Sequence, residues 1–167
     1  MRMPDAFRLC LPVVALIVLT AQLTAAQTGS APVTHAEMKF LNPKGLSTPA
    51  GFTQVVVVEP SKVVYVSGQT ARNATGEVVG KGDLRAQVTQ AMENLKTALT
   101  ASGMTMEDIV KLNYYVVNLK PDQVPTIREV RKKYLSAEHP PASTLVGVTA
   151  LVQDELMIEV EAIAAVR

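Results

Sequence analysis

The sequence predicts an α+β domain with two helices on one face of a mixed sheet, in the chain order ββαβαββ. Three observations lead to it. Short β-branched runs bounded by Gly and Pro recur from residue 52 to residue 164. Between them lie two longer stretches whose apolar residues return at helical spacing. No internal repeat relates one segment to another.

Residues 1–26 stand apart and read as a signal peptide. Arg2 and Arg8 supply a positive start, Leu9 to Leu19 is a short apolar core, and Thr24-Ala25-Ala26 offers small residues for cleavage before Gln27. A spanning helix needs about 20 apolar residues, and this run is shorter, holds Pro12 and gives way to Gln22. Cys10 opens the apolar run and does not follow it, so it is no lipid-attachment cysteine. The expected location is secreted or periplasmic, with no membrane association after cleavage. Cleavage would remove Arg2, Arg8, Asp5 and the one cysteine, leaving a neutral chain without thiols, which suits an oxidising compartment without using disulfides.

Residues 27–50 are rich in Thr, Ser, Pro and Gly and read as a leader lying over the surface. The domain proper is expected over 51–167. Phe52 to Val58 and Val63 to Ser67 are two strands, and Glu59-Pro60-Ser61-Lys62 between them predicts a hairpin. Residues 68–82 form a glycine-containing loop that turns at Asn73-Ala74-Thr75-Gly76. Asp83 is an N-cap for a helix whose Leu84, Val88, Ala91, Met92, Leu95 and Leu99 share one face, stopped by Gly103. Ile109 to Val117 alternates as a strand. A second helix is predicted from Pro121 or Asp122 to Leu135, ended before Pro140-Pro141. Ser143 to Val148 and Leu156 to Ala164 are the last two strands.

Several chemistries find no support in this pattern. His35 and His139 lack metal-ligand spacing, so no metal is expected. No G-x-S-x-G elbow is present, and Gly76, Gly80 and Gly82 lack the lysine and spacing of a phosphate loop, so no cofactor is expected. No basic patch speaks for nucleic acid. Glu159 is the residue that invites chemistry: in the middle of an apolar strand, its carboxylate could orient a water and take its proton. The plainer reading is that Glu159 and Glu161, two apart, share a face that looks at solvent.

The stretch Pro140-Pro141-Ala142-Ser143-Thr144-Leu145-Val146-Gly147-Val148, with Ile158-Glu159-Val160-Glu161-Ala162-Ile163-Ala164, resembles the C-terminal signature of the RidA (YjgF/endoribonuclease L-PSP) family, P-A-R-S-x-V-x-V and (I/V)-E-(I/V)-E-A-(I/V)-A. Val66-Ser67-Gly68-Gln69, the span Gln87 to Leu95 and Asp108-Ile109-Val110-Lys111 resemble three further family motifs in the right order. The resemblance implies a chorismate-mutase-like fold and a homotrimer with small-molecule clefts between subunits. It implies for Glu159 the role of the deaminases' water-positioning glutamate.

The same resemblance points to substrate-binding positions at Phe52, Ser67, Arg128, Ser143 and Thr144. Phe52 stands where many relatives have tyrosine and keeps the ring without the hydroxyl. Ser67 matches a family serine at a strand end, and Gly68 beside it reads as a turn residue. Arg128 matches a cleft-lining asparagine, although it opens the basic run 128–133, which also reads as a solvated helix face. Arg72 is a second guanidinium near the motif. Ser143 is the departure: the family's deaminases carry an arginine there, whose bidentate grip on a carboxylate a serine cannot reproduce. Two functions follow: hydrolysis of a small imine or enamine with Glu159 orienting water, or a non-catalytic trimer that binds a small metabolite or a protein.

Overall fold

A computed structural model describes residues 38–166. The expected signal peptide and the first part of the leader lie outside the described residues. Strands run at Lys39–Leu41 (β1), Val55–Val57 (β2), Lys62–Thr70 (β3), Ile109–Val117 (β4), Ala142–Val148 (β5) and Ile158–Val166 (β6). The helices are Leu84–Ala101 (α1) and Val124–Arg131 (α2). The main sheet has the order β3-β6-β4-β5, antiparallel except for the parallel β4–β5 pair, and both helices cover one face of it. This is the α+β architecture the patterning predicts. No helix among the described residues is long and apolar enough to cross a membrane.

Period-two burial builds the core. Leu112, Tyr114 and Val116 of β4 and Ile158, Val160, Ala162 and Ala164 of β6 point toward the helices and are buried. The α1 stripe of Val88, Ala91, Met92, Leu95 and Leu99 closes over them, with Ile127 and Val130 of α2. Asp83 caps α1 by accepting from Ala86 N at 3.1 Å, and Gly103 leaves the helix with φ 77°.

Three expectations change. First, the hairpin between residues 52–58 and 63–67 does not form: β2 pairs with β1, which comes from the leader, and β3 pairs with β6. Ser61 N already donates to Val166 O at 3.0 Å, so the chain joins β6 directly after Pro60 and leaves no length for a hairpin. Second, residues 27–50 hold regular structure as well as irregular chain, because β1, with both ends exposed, lies within them. Third, the second helix is shorter than expected. Pro121–Gln123 is a separate 3-10 turn, and beyond Arg131 the amides of Lys133 and Tyr134 bond three residues back, to Val130 and Arg131.

Candidate functional site

The predicted site residues divide between the two faces of the main sheet. Glu159 pairs in register with Tyr115, and its neighbours Ile158 and Val160 are buried on the helix side, so Glu159 lies on the outer face. Ser143 pairs with Leu112, which is fully buried, so Ser143 faces the helices. The two are two strands and three residues apart, roughly 14 Å by ordinary sheet spacings. One chain therefore does not bring Glu159 and Ser143 to the same small ligand.

On the outer face, β3 carries a bulge between Val66 and Gln69, which holds Ser67 and Gly68. Gly68 is not in the left-handed region, so the turn reading of it is corrected. Its need is steric: a Cβ there would collide with the Glu159 side chain, coming within 2.8 Å of Cγ and closer still to the carboxylate. The glycine clears the space in which the carboxylate sits. Glu159 is half-buried and makes no hydrogen bond or ion pair with any described residue.

Glu161, two residues on, is engaged. It accepts from Asn113 Nδ2 and Tyr115 Oη, each at 2.7 Å, and these bonds hold its pKa below the usual carboxylate value. The bond to Glu161 also raises Tyr115, with burial and the charges of Glu161 and Glu159 adding to the shift. Ser67 lines a shallow hollow of about 240 Å³ on this face with Tyr65, Lys111, Asn113 and Glu161. Thr144 is exposed at the β5 edge, where its hydroxyl accepts from Lys111 Nζ at 2.6 Å.

The helix side holds a group that the sequence reading passed over. Arg131 is 6% exposed, and its guanidinium donates to Gly51 O at 2.5 Å and reaches Ser143 Oγ at 3.5 Å. Its Cζ stands 5.8 Å from the centroid of the Tyr114 ring. Burial pushes the Tyr114 hydroxyl up to about 12, against the opposing pull of the Arg131 guanidinium, and among the described residues Tyr114 Oη has no partner of hydrogen-bonding geometry. Gly51 is held to glycine twice over, by φ 77° and by Arg131 Nη2, which would lie 2.9 Å from any Cβ.

An arginine thus does stand next to residue 143, but it comes from α2. It sat unnoticed in the basic run 128–133. The available signal was its spacing, four residues after the apolar Ile127, which places both toward the core.

Arg128 is exposed and lines a cavity of about 660 Å³ with Arg131, Lys132 and Leu135. Phe52 lines a different hollow, with Phe40, Thr53 and His139, where Phe40 and His139 stack at 4.9 Å. Arg72 ties its own loop to the β5–β6 connection, donating to Gly76 O and Gln153 Oε1 at 2.7 Å each. No group of three or more His, Cys, Asp or Glu side chains among the described residues could hold a metal ion.

Comparison with known proteins gives a consistent result. The profile of the Endoribonuclease L-PSP family matches residues 44–166. A 2-iminobutanoate/2-iminopropanoate deaminase from Dermatophagoides farinae is 33% identical over 109 residues, 65% of this chain and 82% of the relative. A RutC family protein from Haemophilus influenzae is 37% identical over 113 residues, 66% of this chain and 84% of the relative. Among solved structures, YyfB of Yersinia pestis, a protein of the conserved Rid family, superposes with a TM-score of 0.71 at 37% identity. That superposition covers 77% of this chain and 98% of the neighbour.

Proposed function

Because this chain belongs to the endoribonuclease L-PSP (RidA) family, we propose that it is a hydrolase of small reactive imines or enamines, working in its exported form. The observation that carries this reading is the Glu159 carboxylate, half-buried above Gly68 and unengaged by any described residue. In the proposed reaction a water held by Glu159 adds to the imine carbon and gives a proton to the carboxylate. That proton passes to the nitrogen to give a carbinolamine; the carboxylate then takes the hydroxyl proton and delivers it to the amine as the carbon–nitrogen bond breaks, so ammonia leaves and a carbonyl remains. Since Glu159 and Ser143 lie on opposite faces of one sheet, the cleft we propose is closed by a second subunit of a homotrimer. Ser67 and Glu159 belong to one wall of it, and Phe52, Arg128 and Ser143 to the other.

A second reading, a non-catalytic trimer that binds a small metabolite, is favoured by Ser143 itself. Its hydroxyl offers a neutral bond in place of a bidentate charged pair, and it is already within reach of Arg131. One assay separates the two. An amino acid oxidase generates the imine, and semicarbazide trapping is followed with and without protein, over imines with and without a carboxylate. Hydrolysis is expected to fall by about 10²–10⁴-fold in Glu159→Gln, the range general-base catalysis supplies. Equal trapping with wild type, Glu159→Gln and no protein, across the panel, would leave only the binding reading.

A further inference from the structure

We infer that Glu161 is a positioning residue for Glu159: it takes up the Tyr115 hydroxyl and the Asn113 amide, so that the Glu159 carboxylate stays free to hold a water. The role rests on the reading of Glu159 as the base. On the outer face of β4 and β6 two acids meet two donors. Tyr115 pairs in register with Glu159, and Asn113 with Glu161. Residues directly opposite have Cβ atoms about 5 Å apart, and diagonal ones about 7–8 Å. Nearness along the sheet would give the Tyr115 hydroxyl to Glu159. It goes to the diagonal acid instead: Tyr115 Oη and Asn113 Nδ2 both donate to Glu161 Oε1, each at 2.7 Å.

Each member of this set has a reason to stay where it is. An ionised carboxylate accepts several donors at once, and its charge strengthens each bond, so one oxygen of Glu161 satisfies both side chains. Glu159 leans the other way. Its carboxylate occupies the space that a Cβ at Gly68 would need, on the β3 side of β6, whereas Tyr115 stands on the β4 side. Lys111, a third donor on this face of β4, is turned to Thr144 Oγ1 at 2.6 Å. No described residue therefore takes the Glu159 carboxylate. A hydrogen bond from Tyr115 would stabilise that carboxylate and oppose its taking a proton from water. The two acids of β6 thus divide the work, the second holding a donor that would otherwise satisfy the first.

The test has one arm without substrate and one with it. A crystal structure of Glu161→Ala is expected to show Tyr115 Oη moved to within about 3 Å of a Glu159 oxygen. In the imine-trapping assay the same variant should hydrolyse about 10–100-fold more slowly, with the loss in kcat, since a hydrogen bond to a charged group must be given up before the carboxylate takes a proton. Glu161→Gln keeps a side-chain oxygen as acceptor and should recover most of that loss. Tyr115→Phe added to Glu161→Ala removes the competing donor and should recover it as well, which the loss of a merely structural contact would not allow.

Glu161→Thr, whose side chain suits a strand and is too short to hold a diagonal partner, takes the place of Glu161→Ala should that variant fail to fold. A Tyr115 hydroxyl that stays away from Glu159 once residue 161 is shortened would overturn the assignment. So would a wild-type rate in Glu161→Ala, or a double variant no faster than Glu161→Ala. A wild-type protein that hydrolyses no imine, together with a Tyr115–Glu159 bond in the variant crystal, would remove the imine reading and leave the positioning by Glu161 in place.

Discussion

Gly68 and Glu159 make a pair whose meaning is steric. Added atoms at residue 68 would meet the far end of a flexible side chain, not backbone, and the backbone there suits any residue. Gly68→Ala is therefore expected to swing the Glu159 carboxylate out of its place at a stability cost under about 1 kcal/mol. In the imine-trapping assay it should behave like Glu159→Gln, with a melting temperature close to wild type. Full activity in Gly68→Ala would remove Glu159 from the proposed mechanism. Glu159 was legible as a candidate because an acid in an apolar strand stands out. Its emptied surroundings were not, since they depend on a β3 bulge arriving beside β6.

At the scale of elements, two polar residues of α1 fasten the helix to what surrounds it. Gln87 is fully buried, donates to Glu155 O at 2.8 Å and accepts from Met157 N at 2.8 Å, tying α1 to the turn that leads into β6. Asn94 donates to the carbonyls of Thr70 and Arg72 at 2.9 and 2.8 Å, closing the end of β3. The family motif that contains both residues is thus explained by architecture. Replacing Gln87 with Leu leaves a buried amide and a buried carbonyl without partners. It is expected to cost about 2–4 kcal/mol in urea unfolding, against about 1 kcal/mol for removing the α1 cap in Asp83→Ala. Equal losses for the two would show that the buried bonds of Gln87 contribute little. The length of α1 was legible from its stripe and cap. The early end of α2 was not, because its final turn tightens to bonds three residues back.

For the molecule as a whole, the outer face of the main sheet is its unfinished side. Tyr65 is 77% exposed there, Val63 and Val146 are exposed on the same face, and Asn113, Tyr115 and Glu161 between the edges are partly covered polar groups. A sheet with helices on one side only has its other side to bury, and three-fold association of copies is the solution we propose. Light scattering at micromolar concentration is expected to give the mass of a trimer, and Tyr65→Glu to shift it toward smaller species. A wild-type monomer under those conditions would rule out a cleft shared between subunits.

By itself the sequence determined the fold class, both helices, the strand positions of the main sheet and the family, because each rests on local periodicity, caps and motifs. The tertiary structure alone decided which strands became neighbours, and so replaced the expected β2–β3 hairpin with β1–β2 and β3–β6 pairs. It alone set Glu159 and Ser143 on opposite faces and brought Arg131, from a run that reads as solvated, into the core beside Ser143 and Tyr114. The physical reason is common to all three. Strand pairing and the stabilisation of a buried charge are settled by partners distant along the chain, and periodicity within a segment gives the face a residue takes but not the partner it meets there.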